Sequence, residues 1–231
     1  MLCSMTAAAG NVTMSKATLL ISSKNYSSWS LRGFLLVRMA GLDFETEQVS
    51  PDDPTSRAEL LMQTSSIRIP CLLHDGVTLW DTLAIAEYLN EQHPAAGMLP
   101  GDRIARGRCR SISGEMHAGF SALRAALPMN LRMFRPNFTV WSAVQADIDR
   151  ITEIWRECLT ASKGPWLFGE RRTIADAMFA PVVTRFRTYD VKMDPICDRF
   201  CREISAWPDM REWFAAAQGE PEQIEELDVE F

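Results

Sequence analysis

"NYSSWSLRGFLLVRMAG", residues 25–41, runs from a polar cluster straight into an apolar, arginine-punctuated stretch and stops at a glycine. The apolar positions recur at helical spacing, and Gly41 is placed to end the helix in a left-handed conformation. Just before it, "ATLLIS" from Ala17 is a short apolar run suited to a buried strand, so the chain opens strand then helix. Two adjacent hydroxyls, Ser27 and Ser28, stand where that helix begins. A serine there caps the helix by accepting a hydrogen bond from a free N–H of the first turn. It also stands where aligned peptide dipoles favour an anion. From this stretch alone both roles are open.

Downstream, "FETEQVS" (44–50) alternates as a second strand, and "PDDPTSRAELLMQTS" offers a loop and a short helix. "PCLLHDGVTLW" reads as a hairpin turning at Asp75-Gly76, and "TLAIAEYLNEQH" as a helix with Leu83, Ile85, Ala86 and Leu89 toward a core. This order predicts a mixed four-stranded sheet faced by helices over residues 17–93. "HPAAGMLPGD", with two prolines and two glycines, predicts a linker over 94–102. From 103 to 231 amphipathic segments at about 103–133, 139–161, 173–190, 195–205 and 207–217 predict an all-helical domain. Within it, Thr173 and Asp176 have the spacing of a capping box.

Residues 1–16 read as a flexible N-terminal tail without the basic and apolar blocks of a secretory signal. The net charge of -6 argues against phosphate-backbone binding, so no nucleic acid is expected, and no run is long enough to predict a membrane span. Six cysteines without a C-x-x-C pair, with only three histidines, give no metal-ligand spacing. A reducing cytoplasm is the expected location.

Three pieces of the first half gain meaning together: the serines at the mouth of the first helix, "RIPCLL" with Pro70 ahead of a strand, and "LWDTLAIAEYL" with Asp81 and Thr82 at a helix start. Proline cannot donate to a ladder and belongs where a strand opens; a cis bond at Ile69–Pro70 is one option. On these residues the chain resembles the glutathione transferase superfamily, closely over 17 to about 93 and more loosely over the helical half. "NYSSWSLR" is similar to a serine-type bacterial branch near the zeta and tau types. The resemblance implies a thioredoxin-like domain followed by an all-helical domain, an α/β plus all-α fold. It also implies glutathione as co-substrate, a small electrophilic and hydrophobic acceptor, and a homodimer.

Carried over residue by residue, the resemblance gives Ser27 first, and Ser28 as its substitute, the place of the catalytic hydroxyl. The main chain of Ile69, ahead of Pro70, would pair with the cysteinyl backbone of glutathione. Asp81 and Thr82 would hold its γ-glutamyl end, and Arg68 matches a lysine that meets the glycyl carboxylate. The physical reason is that a thiol is a poor nucleophile until ionised. A hydroxyl donor and a helix N-terminus lower thiol pKa values from about 8.5 to roughly 3.5–7.5.

Two departures matter. Many members carry Glu-Ser where this chain has Asp81-Thr82. Zeta members that isomerise maleylacetoacetate carry Ser-Ser-Cys, whereas the corresponding stretch, Asn25-Tyr26-Ser27, holds no cysteine. A protein thiol is absent from 23 to 34, which argues against disulfide exchange. Tyr26, Met116, His117 and Phe120 are candidates for the acceptor pocket, although a methionine and aromatic stripe at helical spacing more often forms a core. Trp29 is expected to pack against the second domain, and Cys71 to be inert. Binding without catalysis, and glutathione-dependent isomerisation or peroxide reduction, are the alternatives.

Overall fold

The apolar run Ala17–Ile21 forms β1 and the stretch quoted above forms α1, Ser28–Ala40, closed by Gly41 at φ 72°. The computed structural model describes residues 17–50, 53–64 and 66–221; the expected tail over 1–16 and the end of the helical half over 222–231 lie outside them. β2, Phe44–Gln48, runs parallel to β1 with Ala17 opposite Phe44. After α2, Pro54–Gln63, come β3, Cys71–His74, and β4, Val77–Trp80. β3 is antiparallel to both β1 and β4, giving the order β2-β1-β3-β4. Asp75 and Gly76 turn the hairpin with φ of 48° and 77°, the pair of positive values that a two-residue turn of matching twist demands. β2 is an exposed edge strand, whereas β1 is almost wholly buried because α1 covers it.

Ile69–Pro70 is a cis peptide bond immediately ahead of β3. It lies against α1 at Gly33, where an added Cβ would stand 2.8 Å from both Cβ and Cγ of Pro70. Only a residue without a side chain allows the helix this close to the proline loop. α3, Thr82–Gln92, follows β4, and a short 3-10 turn, Pro94–Ala96, leads to Arg103. The intervening Met98 is fully buried, and its carbonyl accepts from Ile174 N–H at 2.9 Å.

Beyond Asp102 the elements among the described residues are helices: α4 Arg103–Ala118, α5 Ser121–Ala126, α6 Ser142–Ser162, α7 Ile174–Thr188, α8 Pro195–Ala206 and α9 Pro208–Gln218. The single segment expected over 103–133 is instead two helices and a loop. Gly119 is extended and Phe120 takes a left-handed conformation at φ 59°, which an α-helix does not pass through. α7 is buried nearly all round and forms the centre of the helical half, with Trp155 packed on Phe179, Phe186 and Phe200 at 5.1–5.9 Å. At its start Thr173 N–H and Oγ1 donate to Asp176 at 2.7 and 2.9 Å, and Leu167 N–H donates to the other carboxylate oxygen at 3.0 Å. One apolar core joins both halves: Phe34 of α1 meets Trp213 of α9 at 5.0 Å.

Candidate functional site

The loop between β1 and α1 is held from the far end of the chain. Glu220 accepts from Ser23 Oγ at 2.7 Å and from the N–H groups of Lys24 and Asn25 at 2.6 and 3.0 Å. Asn25 is fully buried; its amide donates to Asn130 Oδ1 at 3.1 Å and its oxygen accepts from Leu131 N–H at 2.8 Å. Trp213 Nε1 donates to Lys24 O at 2.9 Å. These contacts fix the position from which Ser27 and Ser28 project. None involves a sequence neighbour, so no local pattern announced Asn25, Asn130 or Glu220.

Ser27 is the N-cap of α1, accepting from Ser30 N–H at 3.2 Å and donating to Ser30 Oγ at 2.9 Å. Ser28 is buried, and its Oγ accepts from Arg185 Nη2 at 3.4 Å. Both serines line a cleft of about 520 Å³ together with Tyr26, Trp29, Arg124, Met129 and Arg185. Tyr26 OH accepts from Arg132 Nη2 at 3.2 Å.

An adjoining cleft of about 540 Å³ is lined by Arg68, Ile69, Pro70, Asp81, Thr82 and His117. The two clefts share Trp29, Ala118 and Arg124 as a common wall. Asp81 sits at φ 76°, a strained value for a residue with a side chain, and caps α3 through Leu83 N–H at 2.8 Å. Its second oxygen faces His117 Nε2 at 2.7 Å. Thr82 is 1% exposed, and its hydroxyl has no hydrogen-bond partner. A buried hydroxyl left unpaired costs stability unless something else comes to satisfy it.

The sequence-predicted residues thus gather in two places. Ser27, Ser28 and Tyr26 share the first cleft; Arg68, Ile69, Pro70, Asp81 and Thr82 share the second, where His117 joins them. Met116 and Phe120 are buried in the core and line neither cleft, because the break at Gly119 turns Phe120 inward. Trp29 does more than pack between halves: its ring meets His117 in a tilted contact at 5.0 Å, and the guanidiniums of Arg32 and Arg124 each lie over it, 4.6 Å from its centroid. Such stacking holds a cation without a counter-charge.

Electrostatics set the first cleft apart. Arg32 and Arg185 are almost wholly buried, and their hydrogen bonds go to Met178 O, Leu127 O and the Ser28 oxygens rather than to carboxylates. Burial and the neighbouring guanidiniums hold Arg32 well below the usual arginine range and push Arg185 down to about 10. Cys71, by contrast, is a buried thiol pushed up to about 11 by desolvation, which makes it unreactive. Among the described residues no cluster of histidine, cysteine and acidic side chains could hold a metal ion, and no helix is long and apolar enough to cross a membrane.

A thioredoxin-like sheet domain followed by a helical domain, with a serine-started first helix and a proline loop beside it, is the frame into which the family models fall. The glutathione S-transferase N-terminal domain matches residues 26–92 and the C-terminal domain matches residues 113–216. The chain belongs to the glutathione S-transferase family. Among curated proteins it is 26% identical over 169 residues to a probable maleylacetoacetate isomerase of Caenorhabditis elegans, covering 73% of this chain and 78% of that one. It is also 26% identical over 173 residues to the maleylacetoacetate isomerase of Rattus norvegicus, with 73% and 77% covered. Among solved structures, a glutathione transferase homologue from Burkholderia gl BGR1 with bound glutathione superposes with a TM-score of 0.68 at 24% identity, covering 89% of this chain and all 100% of that one.

Proposed function

We propose that this protein is a glutathione-dependent enzyme of the serine type. The thiolate of the tripeptide forms at the start of α1 and attacks a small electrophile held between that helix and α5. The observation that carries this reading is the pair of adjoining clefts with a common wall, one bearing Ser27 and Ser28, the other Arg68, Ile69, Pro70, Asp81 and Thr82. Glutathione would lie along the second cleft. The Ile69 main chain would pair with its cysteinyl unit, and the unpaired Thr82 hydroxyl would meet its γ-glutamyl carboxylate. Asp81 would meet its amine, beside or in place of His117.

Ser27 is the donor to the sulfur and Ser28 its substitute. Ser27 is the more exposed of the two, and turning its O–H from Ser30 Oγ to a thiolate exchanges one hydrogen bond for a charge-assisted one. The shift this asks for is about two pKa units, roughly 3 kcal/mol in favour of the anion. The helix N-terminus and the uncompensated arginines around it act in the same direction.

Calorimetric titration with glutathione, together with conjugation of 1-chloro-2,4-dinitrobenzene, tests the reading. Ser27→Ala is expected to lower turnover on the order of 10² with little change in glutathione affinity. If turnover survives in both Ser27→Ala and Ser28→Ala, the hydroxyl role is excluded. Failure to bind and to conjugate favours a silent binding module.

A second reading, glutathione-dependent isomerisation through the same thiolate, is favoured by the names of the worm and rat relatives. It is separated by a substrate panel in which the substrate isomerises while glutathione is recovered unchanged. A homodimer and a cytoplasmic location complete the proposal. The five described cysteines, all buried and unpaired, support a reducing compartment. Sedimentation at micromolar concentration reads the assembly.

A further inference from the structure

Arg124 and Arg185 line the serine-bearing cleft, whose wall holds no acidic side chain, and both stand close enough to the buried Arg32 to lower its proton affinity. Nη2 of Arg32 and Nη1 of Arg185 are buried without a hydrogen-bond partner. The Arg124 guanidinium makes no hydrogen bond or ion pair among the described residues and rests only on the face of Trp29. Elsewhere the molecule treats arginine differently: Arg110 forks onto Glu87 at 2.8 and 2.9 Å, Arg150 onto Glu115 at 2.7 and 3.0 Å, and Arg156 onto Asp194. Leaving buried guanidiniums uncompensated is costly, and an anion arriving from outside removes that cost.

We infer that the serine-lined cleft takes an acceptor bearing a carboxylate, seated on Arg185 and Arg124 with its organic body against Trp29, Ala125, Pro128 and Met129. Arg185 already spends Nε on Leu127 O and Nη2 on Ser28 Oγ, so Nη1 is the donor left over, and Arg124 supplies a second fork. Guanidinium and carboxylate match in plane and donor spacing, and the apolar side of the cleft selects an organic acid over an inorganic ion. This rests on the glutathione-dependent reading above and makes its small electrophile an organic anion, in place of the hydrophobic acceptor that the family resemblance implied.

The probe is 4-chloro-3-nitrobenzoate against its methyl ester, which carries the same reacting carbon without the charge. In both, the glutathione sulfur forms a bond to the ring carbon, chloride leaves with the bonding pair, and the thiol proton goes to solvent. After division by each compound's uncatalysed rate, the wild-type kcat/KM for the acid is expected to exceed that for the ester at least tenfold. Arg124→Gln is expected to lower this ratio fivefold or more, and Arg185→Lys to lower it through the acid's KM.

Equal efficiency for acid and ester in the wild type overturns the inference whatever the variants do, which covers a misfolded Arg185→Lys. A fall in glutathione affinity in Arg124→Gln with the ratio unchanged also overturns it, because the arginines then hold the tripeptide's own carboxylate. Equilibrium dialysis of the acid without glutathione separates the two levels. Arg124-dependent binding in a protein that never engages glutathione supports the carboxylate site and sinks the transferase reading.

Discussion

The starts of α1 and α3 are built from the same local device and end with opposite electrostatics. At α3 the cap is Asp81, so the helix carries its own anion, and that anion is paired again with His117 at 2.7 Å. At α1 the cap is the neutral hydroxyl of Ser27; Arg124 and Arg185 line the cleft that it shares, and Glu220 is taken up by Ser23, Lys24 and Asn25 of the preceding loop. A helix N-terminus satisfied by its own acid offers little to an incoming anion. One capped by a hydroxyl and ringed by cations remains open to one. The start of α7 is the limiting case: Asp176 is completely buried, bonded to Leu167 and Thr173, and faces no cleft.

The largest effect is expected at that limiting case. Desolvation pushes Asp176 up to about 6, against hydrogen bonds that act the other way. A carboxyl whose folded pKa lies above its unfolded value contributes most at pH below about 4 and loses that contribution as pH rises toward 6. Denaturant titrations should therefore show the stability of the wild type, relative to Asp176→Asn, declining by about 3 kcal/mol across that window. A difference that grows with pH would mean that the Leu167 and Thr173 donors outweigh burial, and α7 would then belong with α3.

Next in size is Gly33→Ala. Its Cβ would stand 2.8 Å from Pro70, so α1 and the proline loop must separate, at a cost of about 1–3 kcal/mol. Because Pro70 lines the second cleft and the start of α1 lines the first, glutathione affinity should fall together with thermal stability. Unchanged affinity at lowered stability would uncouple the proline loop from the α1 start.

The smallest effect is expected for Asp81→Asn. The cap oxygen that faces Leu83 is retained and the charge opposite His117 is lost, so stability should fall by less than about 1 kcal/mol. Glutathione affinity should drop about tenfold while turnover at saturation is kept. A loss confined to turnover would move Asp81 from the binding of the tripeptide to the reaction.

How far the site was legible follows from the range of the interactions involved. Ser27 as a cap, the Asp75-Gly76 turn, Pro70 at a strand mouth and Asp81 at a helix start each depend on residues within a few positions, and each left a local pattern. The break between α4 and α5 left a weaker one. The apolar period continues through Gly119 and Phe120, and only their backbone, extended at Gly119 and left-handed at Phe120, shows that the helix stops. Met116 and Phe120 stood in a stripe that more often describes a core than a pocket, and both are buried in the core. Arg185 and Arg124 had no signal at all, since an arginine in an amphipathic helix reads as solvated until its neighbours are known.

By itself the sequence determined the order of strands and helices as far as Asp102, the three caps and the family, because hydrophobic period, turn residues and capping spacing are written in neighbouring positions. Tertiary structure alone decided that Glu220 and Asn130 hold the loop before α1, that His117 meets Asp81, and that three arginines converge with no carboxylate bonded to them among the described residues. The reason is physical: a charge is stabilised or left unsatisfied by whatever the fold brings within a few ångströms. For Arg185 and Ser28 those groups are 157 residues apart in the chain.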